Sequence, residues 1–201
     1  YPTATAQDWT GEGTKASPYV ITTDSQLNAF AEDVSAGNDY KDKYVKLGAD
    51  IDMSTSTLAF TPVGTSEETP FRGSFDGANY TVKNLKIAVG AENYQGLFGY
   101  ADSVSSISNL KMLDANISTG GEYTGTVAGW CSGVMVNINV EGSVIKATSN
   151  GAGGVAGYFN GPKLANCVFT GAITGAGENG GIAGSIAGQT VASHLQAHGS
   201  I

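Results

Sequence analysis

The sequence lacks most of the features that announce a function directly. No stretch of about 18 apolar residues occurs, so no segment is written to cross a membrane as a helix. Lys and Arg number only 10, Arg72 is the sole arginine, and no basic cluster forms, which counts against nucleic acid or anionic lipid as a partner. Two cysteines, Cys131 and Cys167, cannot build a disulfide framework. Cys131 follows a turn, and Cys167 stands where neighbouring repeats carry an aliphatic, so it reads as a small buried hydrophobe. The chain opens on Tyr1 without a signal-peptide core, as a processed secreted protein or a trimmed piece would.

Recognisable catalytic motifs are missing too. There is no His-Glu-x-x-His, no Gly-x-Ser-x-Gly elbow and no phosphate loop. His194 and His198 are four apart, but they fall in a strand-like stretch and read as surface residues rather than zinc ligands. No cofactor or metal is expected.

What is abundant is glycine, 29 residues of 201, against charged residues at only 14%. With many Val, Ile, Thr, Ser and Asn, this suits short strands joined by tight turns. A formal net charge of −8 favours solubility. The glycines follow a period. Gly96-Leu97-Phe98-Gly99-Tyr100 returns as Gly125-Thr126-Val127-Ala128-Gly129-Trp130, Gly153-Gly154-Val155-Ala156-Gly157-Tyr158 and Gly180-Gly181-Ile182-Ala183-Gly184-Ser185. The closing glycines step by 30, 28 and 27 residues, a spacing that marks a stacked repeat.

A second phrase keeps step with the first: Val82-x-Asn84-Leu85, Ile107-x-Asn109-Leu110, Met135-x-Asn137-Ile138 and Leu164-x-Asn166-Cys167. Strict alternation would split its aliphatics between two faces. A left-handed corner at each Asn lets aliphatics on both sides point inward, since Asn tolerates that conformation better than most residues. Stacking the coils would then pile Asn84, Asn109, Asn137 and Asn166 into one ladder of amide hydrogen bonds. Third strands follow at 116–117, 143–145 and 172–174. About three short strands and three bends recur every 27–30 residues, which describes an all-β chain wound as a parallel β-helix.

One helix interrupts the pattern. Thr23 and Gln26 form a capping box, Leu27, Phe30, Ala31 and Val34 make an apolar stripe, and Gly37 stops it, so 24–36 is helical. Its stripe is expected to close the open end of the stack. Residues 1–72 therefore read as an N-terminal cap and 73–201 as coils, truncated at Ile201 or continued by another domain.

These phrases, with Leu47-Gly48-Ala49-Asp50-Ile51-Asp52 and Phe71-Arg72-Gly73-Ser74-Phe75-Asp76-Gly77, resemble the GLUG motif repeat family over roughly residues 17–190. The resemblance implies a right-handed parallel β-helix. It also implies a bacterial surface or secreted protein of the adhesin-like kind common in Bacteroides-type anaerobes, or repeats flanking immunoglobulin A-cleaving peptidases. It carries over no catalytic or ligand residues.

Two sets of side chains merit testing against the structure. Other parallel β-helices are polysaccharide lyases or glycosidases built on clustered carboxylates. The acids here are Asp50, Asp52, Asp76, Asp102, Asp114, Glu122, Glu141 and Glu178, with Asp114 and Glu141 in similar places of successive coils. No arginine accompanies those two, and solvated surface acids are the reading adopted. Asp50 and Asp52 are expected to bond backbone near the cap. Tyr100, Trp130 and Tyr158 hold one position in three coils, an aromatic stripe that either docks sugars or a partner protein, or packs as a secondary core. The expectation is a non-enzymatic adhesin-like binding or spacer module, exported to the cell surface or beyond. Its partners would be host or bacterial glycans or surface proteins. A polysaccharide-degrading enzyme and an accessory domain of a larger surface peptidase are the alternatives.

Overall fold

The computed structural model describes residues 9–57 and 59–201. Strand β1 (Tyr19–Ile21) leads into helix α1 (Asp24–Ser35), then β2 (Tyr44–Leu47), β3 (Ile51–Asp52) and a 3₁₀ turn at Met53–Thr55. The coils follow as β4 (Ser74–Asp76), β5 (Thr81–Lys83), β6 (Lys86–Ala88), β7 (Phe98–Ala101), β8 (Ser106–Leu113) and β9 (Asn116–Thr119). Next come β10 (Thr124–Gly125), β11 (Ala128–Cys131), β12 (Val134–Ala147), β13 (Ala152–Gly153) and β14 (Ala156–Phe159). The last coils are β15 (Lys163–Thr174), β16 (Asn179–Gly180), β17 (Ala183–Ile186) and β18 (Val191–Ser200).

Strands pair in parallel with the coils before and after them, making a parallel β-solenoid of about 6 turns. The longest ladder runs β1-β2-β4-β8-β12-β15-β18, and a second wall runs β7-β11-β14-β17. Partners Val45, Phe75, Ile107, Met135, Leu164 and Ala192 lie on successive rungs, stepping by 30, 32, 28, 29 and 28 residues. Strands β1 and β2, within the expected cap of residues 1–72, already pair in parallel as the first rungs of this ladder.

The interior is a column of matched aliphatics. Ile87, Ile117, Ile145 and Ile173 pair rung on rung, as do Val82, Met112, Val140 and Phe169, and all eight are buried. Each such side chain contributes about 1.5–3 kcal/mol by leaving water, so the column is the main source of stability.

Helix α1 caps this column. Thr23 accepts from the Gln26 N–H at 3.2 Å, while the Gln26 side chain reaches past it to the Thr22 N–H at 2.7 Å. The helix ends at Ser35, one residue short of the expected limit, and Gly37 continues at φ 109°. Leu27, Phe30, Ala31 and Val34 are buried on the first coil, with Phe30 against both Phe71 and Phe75. Thr10 bridges antiparallel to Val20 and so covers the outer edge of β1. At the opposite end β18 pairs only with β15 among the described residues, and Ile186, Val191 and Ile201 are exposed.

Each coil turns at left-handed corners. Asn109, Asn137 and Asn166 take φ of 53°, 58° and 54°, and the Asn137 and Asn166 amides donate to the preceding Asn at 2.9 Å each. Asn109 itself donates to Asp76 at 3.0 Å. Asn84 is not in this ladder, which corrects the alignment above. Val82 pairs with Met112 rather than Ile107, placing Asn84 at the second corner with Asp114 and Gly142, where its amide meets Asp52 at 2.8 Å. The physical reason is that both corners use the same local pattern, an aliphatic two residues before a left-handed residue. The asparagine step of 25 from Asn84 to Asn109, against 28 and 29 later, reflects the change of corner.

Candidate functional site

The most distinctive surface feature is a column of aromatic rings on the second wall. Tyr100, Trp130 and Tyr158 occupy one position of β7, β11 and β14, paired in register. Their rings stack face to face, with centroids 5.7 Å apart at 4° and 3.9 Å apart at 17°. All three are half-buried. The Trp130 indole N–H donates to Ser132 Oγ at 2.9 Å.

Beside them stands a second column that the sequence reading missed. Tyr94 and Tyr123 adopt left-handed φ of 59° and 62° and stack at 5.8 Å and 8°. They meet the first column edge-on, Tyr94 on Tyr100 at 90° and Tyr123 on Trp130 at 87°. A signal was present: each tyrosine lies two residues before the opening glycine of its phrase, at Gly96 and Gly125. The next coil places Gly151 there, and the column ends.

This geometry decides how the stripe can act. Sugar stacking needs an open ring face, and both faces of Trp130 are covered by Tyr100 and Tyr158. At Trp130 the column presents ring edges instead, and this middle works as a zipper along the wall. Burial first, then the Glu67 carboxylate, push the Tyr100 hydroxyl up to about 12. Burial likewise raises Tyr94 and Tyr123, so these rings stay neutral at ordinary pH.

The acids are distributed rather than clustered. Asp50 accepts from the Thr81 N–H and Asp76 from the Ala78 N–H, each at 2.8 Å. Asp102 holds Arg72 Nε at 2.6 Å, and Asp39 holds its Nη1 at 3.3 Å, so the one arginine does accompany an acid considered above. Burial alone would raise Asp102, yet the Ser103 N–H and Arg72 outweigh it and lower its pKa. Glu141 pairs in register with Leu113, and Gly142 rather than Glu141 stands over the Asp114 carboxylate. Glu141 accepts from Asn139 at 2.8 Å. Glu122 flanks the tyrosine column, and Glu178 occupies the next rung beyond Gly151. His194 and His198 lie exposed on β18, His194 at φ 52° in line with the asparagine corner. Both thiols are free and buried, and burial raises Cys131 to about 12 and Cys167 to about 11, which keeps them inert. Among the described residues no group of three His, Cys, Asp or Glu side chains could hold a metal.

Asp52 yields a pH prediction. Hydrogen bonds from Asn84 and Ser54, with Lys83 3.7 Å away, lower its carboxyl from 3.8 to about 2. A depressed folded-state pKa stabilises the fold fully above pH 3.8, and that contribution disappears as pH falls through about 2. An NMR titration is expected to place the Asp52 midpoint near 2, and Asn84→Ala to move it back toward 3.8. A wild-type midpoint near 3.8 would show that the corner does not hold the carboxylate.

Fold and surface together define a parallel β-solenoid with packed side-chain columns on its walls. No protein-family model matches the chain. It is 34% identical over 164 residues to halomucin of Haloquadratum walsbyi, a match spanning 77% of this chain and 2% of halomucin. It is 28% identical over 137 residues to a "putative Gly-rich membrane protein" of Evansella cellulosilytica, spanning 65% of this chain and 15% of that one. Among solved structures it is similar to a "putative immunoglobulin A1 protease" from Bacteroides ovatus, at 22% identity and a TM-score of 0.66 over 92% of this chain and 69% of the other. That likeness concerns the fold. The chain thus spans a small part of the curated relatives that it matches.

Proposed function

We propose that this chain is a non-enzymatic, adhesin-like module of a longer exported bacterial protein, holding rigid lateral faces for binding or spacing. The observation that carries the reading is the employment of its polar and aromatic side chains. Asp50, Asp52 and Asp76 accept backbone N–H groups, Asp102 holds Arg72, and Trp130 has both ring faces covered. A carbohydrate-cleaving face would need such groups free and convergent. The match to a stretch that is only 2% of halomucin supports a module within a far longer chain. The GLUG-like phrases, and a fold shared with the Bacteroides ovatus protein, support surface export. The same likeness favours a second reading, an accessory domain beside a peptidase.

Incubating the purified chain with a polysaccharide panel and with immunoglobulin A1 tests the absence of catalysis. No new reducing ends and no antibody fragments are expected. Cleavage that vanishes in Asp114→Asn or Glu141→Gln would replace the proposal with the enzymatic reading.

A further inference from the structure

We propose that a groove at the head of the tyrosine column binds a neutral sugar. It lies between residues 59–65 and 89–95, encloses about 490 Å³, and is lined by Phe60, Pro62, Glu92, Tyr94 and Gln95 among others. That volume suits one or two sugar rings.

Gln95 provides the first argument. It is 5% exposed, and its amide N–H donates to the Asn93 carbonyl at 2.9 Å, which fixes which end is oxygen. The oxygen, Gln95 Oε1, is buried with no hydrogen-bond partner among the described residues. A buried acceptor left unpaired is costly, and a ligand hydroxyl is the donor it lacks.

Tyr94 provides the second. One face of its ring lies on Tyr123, while Tyr100 and Trp130 meet it edge-on. Tyr94 lines the groove and Tyr123 does not. Unlike Trp130, which is stacked on by two rings, Tyr94 has one ring, Tyr123, stacked on it among the described residues. The C–H face of a pyranose packs on such a ring.

Charge selects the class. The lining includes Glu92 and, among the described residues, no Lys or Arg. Acceptors without cations favour a ligand that donates hydroxyls and disfavour uronates, sulfates and phosphates. The inference rests on the binding role proposed above and gives it a location distinct from the aromatic stripe.

Calorimetry and NMR with cellohexaose, xylohexaose, maltohexaose and mannohexaose, and with hexagalacturonate as the charged control, test it. At least one neutral hexasaccharide is expected to bind and shift the Gln95 side-chain amide and the Tyr94 ring signals. Hexagalacturonate is expected not to bind. Gln95→Leu, matched in size, is expected to keep the fold by circular dichroism and weaken binding at least about tenfold. Tyr94→Ala is expected to weaken it similarly, and Gln95→Leu suffices should that variant fail to fold. No binding by any neutral hexasaccharide, or binding unchanged by Gln95→Leu, overturns the inference, as does a groove that accepts only extended peptides. Product analysis of the same samples separates the two proposals. A hexasaccharide bound and cut refutes the non-enzymatic reading but leaves the groove, whereas one neither bound nor cut refutes the groove alone.

Discussion

Gly129→Ala is expected to lower stability by at least about 3 kcal/mol, or to leave the chain insoluble, although it adds a single methyl group. A Cβ at Gly129 would lie 2.5 Å from Tyr94 C and Cα and 2.7 Å from Gln95 N. All three are backbone atoms of the neighbouring corner, so no side chain can swing aside. Gly157 faces the same conflict with Tyr123 and Thr124 one coil later. The recurring closing glycine is thus the place where two stretches of backbone touch, and each tyrosine corner needs it. Gly90→Ala is the control, since its nearest neighbour is the Glu92 carboxylate at 3.5 Å, and it is expected to change stability by less than about 0.5 kcal/mol. Urea denaturation of both variants measures this. Equal midpoints would refute the close-approach account.

Phe30→Ala is expected to cost about 3–5 kcal/mol, the usual range for deleting a buried ring. Phe30 is fully buried at the hub of the cap, with Tyr40 at 5.1 Å, Phe71 at 5.8 Å and Phe75 at 6.1 Å. It joins α1 to the first coil, so its loss acts locally in a stack coupled only between neighbours. Hydrogen exchange is expected to quicken most across α1, β1 and β2, and least in β12 and β15. Uniform quickening along the whole ladder would show that cap and coils unfold as one unit. Phe30→Leu is expected to recover part of the loss, because it refills most of the cavity.

Much of this was legible because the physics is periodic. The glycine phrases located the second wall, and Trp130 does pair with Tyr100 and Tyr158. The i, i+3, i+4, i+7 stripe located α1 to within one residue. Asn84 was misplaced because two corners obey the same rule, and a local pattern cannot say which corner it describes. Tyr94 and Tyr123 were overlooked because a left-handed tyrosine breaks the expectation that such corners carry Gly or Asn. The groove could not be read at all. It joins residues 59–65 to 89–95, segments about 30 residues apart whose contact depends on how the cap loop lies against the coil.

The coil period has a consequence for how far such a chain can extend. From β2 onward each turn of the longest ladder consumes 28–32 residues and advances by one strand spacing, about 4.8 Å, so the axis gains roughly 0.16 Å per residue. An extended chain gains about 3.3 Å per residue, some twentyfold more. The seven rungs of the longest ladder therefore cover only about 29 Å. A protein selected for length alone would be served better by almost any other architecture. What this winding gives in return is girth, a broad stiff wall on which the same surface position recurs every few ångströms.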